Sequence, residues 1–422
     1  MQTSLRLLGR RRFLPIFTTQ FLGAFNDNVF KTSMVLFATY QVYSDPKVET
    51  QFNAVATGLF ILPFFLLSAL SGQLADTRDK AWIVRIVKTA EIGIMLVGGA
   101  GLLLPSIPLM LAAVLAMGVH STFFGPIKYA ILPQHLHSDE VLGGTGLVEA
   151  GTYIAILAGT ILAGFITPQQ TTIIVLIVAG LGWLAGRQIP PAPPMHEEHV
   201  FDWHIIRASI TLVNATMHIP RLFLAICSIS FFWTIGAVLI IEFPPLVKNV
   251  LTSDQQVASL FLAVFSVGVA IGSIAINRLL RGEVSARYAP GSVVAMGAFV
   301  LLVYAVARTW VGDHPGELYN IAEFVRHPSA VLLLGSLLGV AVTGGMFVVP
   351  LYAFLTTTVD KDQTARTVAA NNIVNSGAMV AGSLLAFLLS AAGVSAVNQL
   401  LMVAAMCVVS AWLAWKLHLA CD

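Results

Sequence analysis

The stretch FLGAFNDNVFK, Phe21 to Lys31, places an acid, two amides and a lysine inside an apolar run. A single Asp or Lys at the centre of a membrane helix costs about 2.5 to 3.5 kcal/mol on insertion scales. Asp27 and Lys31 are four residues apart, acid first, so a helix puts them on one face where they can pair. They can neutralise each other as a structural ion pair, or they can meet a polar ligand in a wet cavity. The second reading is the stronger, because a pair that only cancels itself has little reason to be in a membrane. Asn28 adds an uncharged donor and acceptor beside them. Lys88 and Glu91, three residues apart, read as a structural ion pair. Lys128 in GPIKY follows Pro126, which removes a backbone donor and loosens the helix. Glu149 fits a gating partner and a ligand contact equally. Asn371, Asn372 and Asn375 are polar without charge and can bridge helices or touch a ligand.

The elements that must position these residues follow from composition. Hydrophobic residues make up 57% of the 422-residue chain and charged residues 10%, with a mean hydropathy of +0.83. Soluble domains average about 25% charged residues, so this chain cannot cover a water-facing surface. Apolar runs long enough to cross about 30 Å of hydrocarbon recur from end to end. The reading is an all-α polytopic membrane protein with twelve spans. The expected bounds are 1–187 for a first six-helix half, 188–221 for a linker, and 222–422 for a second six-helix half. The linker opens with IPPAPP and HEEH, then places Trp203, Ile206, Ile210, Val213 and Met217 at helical spacing, an amphipathic helix for the membrane surface.

Several classes are excluded or disfavoured. No Gly-Lys dipeptide exists, so a phosphate-binding loop of that type is absent. HEEH has the wrong spacing for a zinc-protease helix, and the three cysteines imply neither a disulfide framework nor a metal site. No metal, cofactor or nucleic acid is expected, and a monomer is. Lys and Arg concentrate in one set of loops (Arg10, Arg11, Arg12, Arg78, Arg187, Arg207 and others), against Lys47, Lys248, Arg308 and Arg326 in the opposite set. Both termini are therefore expected in the cytoplasm.

The two halves echo each other. FFGPIKYAIL (123–132) resembles FVVPLYAFL (347–355), and VEAGTYIAILAG (148–159) resembles VNSGAMVAGSLL (374–385), in the same order. That is the parallel repeat of the major facilitator architecture, whose first, fourth, seventh and tenth spans line a cavity. Asp27 lies roughly 21 Å into the first span at 1.5 Å per residue, near mid-membrane. GQLADTRDK (72–80) partly matches the facilitator loop motif, with Thr77 and Asp79 where Arg and Gly are usual. The match implies gating roles for Asp76 and Lys80, and Arg366 near a span end is grouped with them.

QFLGAFNDN, GPIKYAILP, GLVEAG, GGMFVVPL and AANNIVNS together resemble the bacterial lysophospholipid transporter family, in order along nearly the whole chain. SISFFWTIGAVLIIEFPPLVKNVL is most similar to the branch fused to an acyltransferase and an acyl-carrier-protein synthetase. The resemblance implies a flippase that moves lysophospholipids from the outer to the inner leaflet of the bacterial inner membrane, where a lysophospholipid acyltransferase acts next. No His is followed five residues later by Asp, the spacing of acyltransferase chemistry, so a free-standing transporter or isolated domain is expected, not an enzyme. The seventh span offers Glu242 where some members carry a basic residue. The implied substrate contacts are Asp27, Asn28, Lys31, Lys128, Glu149 and Asn375. Charge is denser in the first half, so the headgroup is expected there and the acyl tail around Phe232, Trp233, Met346 and Phe347. A proton-coupled transporter of a small soluble compound, working through Asp27 or Glu149, is the alternative.

Overall fold

A computed structural model describes residues 6–194, 204–281, 285–311, 317–359 and 364–421. Expectations placed on HEEH and Trp203 lie outside the described residues, as does the side chain of Lys128. Among the described residues, twelve helices of 20 to 32 residues form the body of the chain. They are α1 (Leu14–Phe37), α2 (Pro46–Thr77), α3 (Lys80–Leu103), α4 (Ile107–Ala130), α5 (Ser138–Ala163) and α6 (Pro168–Arg187), then α7 (Pro220–Asn249), α8 (Gln255–Leu279), α9 (Ala289–Arg308), α10 (Ala330–Thr357), α11 (Thr364–Ala391) and α12 (Ala396–Cys421). Among the described residues, eleven of these are long and apolar enough to cross a membrane, and α1 is not one of them. The reason is local: Asn26, Asp27, Asn28 and Lys31 dilute its apolar run.

The chain divides into two compact units, Met1–Phe37 with Leu62–Ala208, and Ala38–Ile61 with Ser209–Asp422. In the first, α1 packs against α5 and α6, and α3 against α4 and α6. In the second, α7 packs against α11 and α12, and α9 against α10 and α12. The first and third helices of each half meet the same later members, so the repeat seen in the sequence is also a repeat of packing. Residues 38–61, counted with the first half in the sequence, cluster instead with the second unit.

Small residues set the closest approaches. A Cβ on Gly151 would sit 2.6 Å from the Phe17 ring, and one on Gly159 would sit 2.7 Å from the Phe25 carbonyl oxygen and 3.2 Å from the Val29 nitrogen. The stripe of small residues along α5 therefore brings its backbone against α1. Gly272 and Gly345 play the same part between α8 and α10, facing the backbone of Val342 and Val269.

The IPPAPP segment is pinned within the first unit. Asp79 caps α3 by accepting from Ala81 N at 2.8 Å and Trp82 N at 3.3 Å, and it also accepts from Ala192 N at 3.2 Å. Arg85 donates to the Ile189 carbonyl at 3.1 Å, and the Lys80 N–H donates to Ala192 O at 2.9 Å. Four prolines leave these carbonyls without intrasegment donors, so neighbouring groups satisfy them. Beyond it, the linker helix Ile205–Met217 leaves Ile206 and Ile210 exposed at 72% and 54%.

Gly159→Val should cost about 1 to 3 kcal/mol by overpacking against the α1 backbone. Its thermal midpoint in detergent should fall by several degrees. Gly180→Val, where an added Cβ meets open space, should leave the midpoint nearly unchanged.

Candidate functional site

The three residues of NDN leave α1 in three directions, as a helix turning about 100° per residue requires. Asn26 is fully buried and donates from Nδ2 to Glu91 Oε1 of α3 at 2.9 Å. Asp27 points to α4, where its Oδ2 accepts from Ser121 Oγ at 2.7 Å. Asn28 donates to the Ala24 carbonyl of its own helix at 2.8 Å. Asp27 and Lys31 are half-buried, and the Asp27 charge acts on Lys31.

Behind Asp27 lies a buried cluster of charge. Lys88 Nζ and Glu91 Oε2 are 2.6 Å apart, with side chains 0% and 1% exposed. His120 Nε2 lies 3.3 Å from the same carboxylate oxygen, and His120 Nδ1 lies 3.5 Å from Ser121 Oγ. A continuous line therefore runs Lys88, Glu91, His120, Ser121, Asp27 across α3, α4 and α1. Glycine makes room for it: a Cβ on Gly23 would lie 2.7 Å from Lys88 Nζ, and Gly182 and Gly186 of α6 line the same stem. Lys88 also sits 5.3 Å from the centre of the Phe124 ring, where the face of the π system attracts a cation.

Asn26 Oδ1 is buried with no hydrogen-bond partner among the described residues, and a second oxygen of the arrangement shares that state. Asp27 Oδ1 is buried and has no hydrogen-bond partner among the described residues. A buried acceptor without a partner is costly, and a ligand cation or donor would satisfy it. The arrangement can bind and orient a polar group.

The other expected residues are scattered. Glu149 is half-buried on α5. Asp76 is exposed while Lys80 is only 4% exposed, and Asp79 is the acid that organises the α2–α3 turn. Arg366 is exposed at the start of α11. In the second unit Asn375 joins an uncharged cluster: its Oδ1 accepts from Ser230 Oγ at 2.7 Å, and its Nδ2 donates to Tyr352 OH at 3.4 Å. Trp233 Nε1 donates to the same hydroxyl at 2.7 Å and is 40% exposed. Met346 is half-buried, while Phe232 and Phe347 are core residues at 6% and 0%. Sequence reasoning missed His120 and Ser121. Their signal was the polar HST interrupting the apolar run LMLAAVLAMGVHSTFF.

Two repeated six-helix sets, with polar groups buried at mid-span, define a polytopic transporter. The Major Facilitator Superfamily matches residues 16–383, and the chain belongs to it. It is 25% identical over 354 residues to the Lysophospholipid transporter LplT of Photorhabdus laumondii subsp. laumondii, covering 82% of this chain and 80% of that one. It is 24% identical over 369 residues to the protein of the same name from Escherichia coli O1:K1 / APEC, covering 85% and 82%. Among solved structures, the nucleoside transporter NupG aligns with a TM-score of 0.66 at 15% identity, over 97% of this chain and 99% of that one. A bacterial homologue of the human lysosomal transporter Spinster aligns at 0.70 and 12%, over 97% of both chains. Both likenesses describe the fold.

Glu91→Gln leaves Lys88 buried without a counter-charge, a loss of about 3 to 5 kcal/mol. Changing Lys88 and Glu91 together to Met should cost clearly less than the sum of Lys88→Met and Glu91→Met made singly. Thermal midpoints of the wild type, the two Met variants and the double variant in detergent give the comparison, and strict additivity would dissolve the pair.

Proposed function

We propose that this chain is a lysophospholipid transporter that moves lipids such as lysophosphatidylethanolamine from the outer to the inner leaflet of a bacterial inner membrane. The relatives' names over more than four-fifths of the chain support the substrate class. The observation that carries the site is the unpartnered Asp27 Oδ1 at mid-span, four residues from Lys31. A lysophospholipid headgroup brings an ammonium and a phosphate. The ammonium suits Asp27, and the phosphate suits Lys31 and Lys128; Asn28 is kept as a further headgroup contact. Glu149 is kept as a further headgroup contact. The acyl chain needs apolar wall, and exposed Trp233 with Met346 offers it in the second unit. The re-acylation step falls to a separate lysophospholipid acyltransferase; the chain itself carries no catalysis in this reading.

Cells lacking their own lysophospholipid uptake should regain it when given this chain and an acyltransferase. Asp27→Asn preserves shape and removes charge. The loss of a charge-assisted hydrogen bond, about 1.5 to 3 kcal/mol, lowers uptake about tenfold or more with normal membrane insertion. Wild-type rates in Asp27→Asn would remove the headgroup role. Failure of a well-inserted wild-type chain to restore uptake, together with pH-gradient-driven uptake of a water-soluble compound, would favour the soluble-substrate alternative.

The proposed orientation has both termini in the cytoplasm, from the Lys/Arg bias of the loops. Reporters fused at Asp422 and within residues 190–200 should both read cytoplasmic. A periplasmic signal at either point would reverse the orientation.

A further inference from the structure

Glu242 lies in α7, is 0% exposed, and has no hydrogen-bond partner on either carboxyl oxygen among the described residues. The Thr50 hydroxyl of α2 faces it, outside hydrogen-bond geometry. Asn53, one turn along α2, is 1% exposed and donates to the Ile241 carbonyl at 3.3 Å. Ile241, Ala54 and Ala386 form an apolar cluster at the same level. Nothing charged acts on Glu242 among the described residues.

Further along the same contact the chemistry is the opposite. Glu49 of α2, also 0% exposed, accepts from Lys248 Nζ and from Asn249 Nδ2, each at 2.5 Å. Lys248 Nζ also donates to the Thr39 and Tyr43 carbonyls. Residues 38–61 are thus docked on α7 by a polar seam within the second unit, fully paired at Glu49 and unpaired at Glu242. The charged groups along this seam are Glu49 and Lys248, which hold each other. Asp254 at the start of α8 acts on Tyr40, whose hydroxyl donates to the Ser253 carbonyl. From α8, Phe261 and Phe265 stand against Phe243. From α11 come Ala386 and Ser383.

An ionised carboxylate buried without a charged partner is among the most expensive groups a protein interior can hold, and a proton removes that cost. We propose that Glu242 is a proton-binding site that couples the docking of residues 38–61 on α7 to pH. The docked form holds the proton. Release of the proton demands water at the carboxylate, and water enters by separating the Thr50–Asn53 stretch from α7. The docked form binds one proton more than the undocked form, so acid favours docking and rising pH favours release. This holds whatever the chain transports.

The test places spin labels at Ser44 and Glu317, both exposed in the second unit, in a chain whose own cysteines are replaced by alanine. Pulsed dipolar distances are recorded at a series of pH values from mildly acidic to mildly alkaline. The wild-type chain should show a short distance at low pH and a longer component growing with pH, its ratio changing up to tenfold per pH unit. Glu242→Gln, and Glu242→Leu as a second uncharged replacement, should hold the short distance at every pH. Glu49→Gln should weaken docking yet keep the pH response. A single unchanging distance in the wild type would overturn the proposal. So would a wild-type pH response in either Glu242 variant, or a response that disappears in Glu49→Gln instead.

Discussion

Glu91 holds the first unit together. Its carboxylate takes a hydrogen bond from Asn26 of α1, pairs with Lys88 of its own helix, and lies 3.3 Å from His120 of α4. In hydrocarbon no water replaces a lost partner, so polar groups in a span must find each other. The consequence is geometric. Three helices are fixed in azimuth by one acid, and the neighbouring residue on each of two of them, Asp27 and Ser121, is brought into contact. Gly23, Gly182 and Gly186 stay small because the Lys88 stem passes between them.

The two units share a packing plan but differ in chemistry. In both, the first helix packs against the fifth and sixth, and the third against the fourth and sixth. The polar groups at corresponding depth are not repeated. The first unit buries Lys88, Glu91 and His120 around Asp27, and the second buries Ser230 and Asn375 around the Tyr352 hydroxyl. Helix packing is a matter of small residues and shape, which duplicates easily. Buried charge must be justified site by site.

Much of this was legible in the sequence. The membrane class followed from composition, the twelve helices from run length, and the parallel halves from FFGPIKYAIL and FVVPLYAFL. The Lys88–Glu91 pair was legible because both partners share one helix, where spacing alone places them together. Contacts between helices were not. Asn26 meets Glu91 across 65 residues and Asp27 meets Ser121 across 94, and periodicity gives a helix its face without naming the face opposite. The same limit hid the docking of Glu49 on Lys248 across 199 residues. At the α2–α3 turn the loop motif drew attention to Asp76. Cap geometry shows Asp79 organising the turn, because it directly precedes the helix and reaches the free N–H groups.

Lysophospholipid movement is tested most directly with purified protein in lipid vesicles. Fluorescent lysophosphatidylethanolamine is added to the outer leaflet, and its protection from a membrane-impermeant quencher is followed with time. A lysophospholipid transporter gives protein-dependent protection that grows well above that of protein-free vesicles and saturates with lipid. Protection no faster than in protein-free vesicles, from protein shown to be folded and inserted, would contradict it.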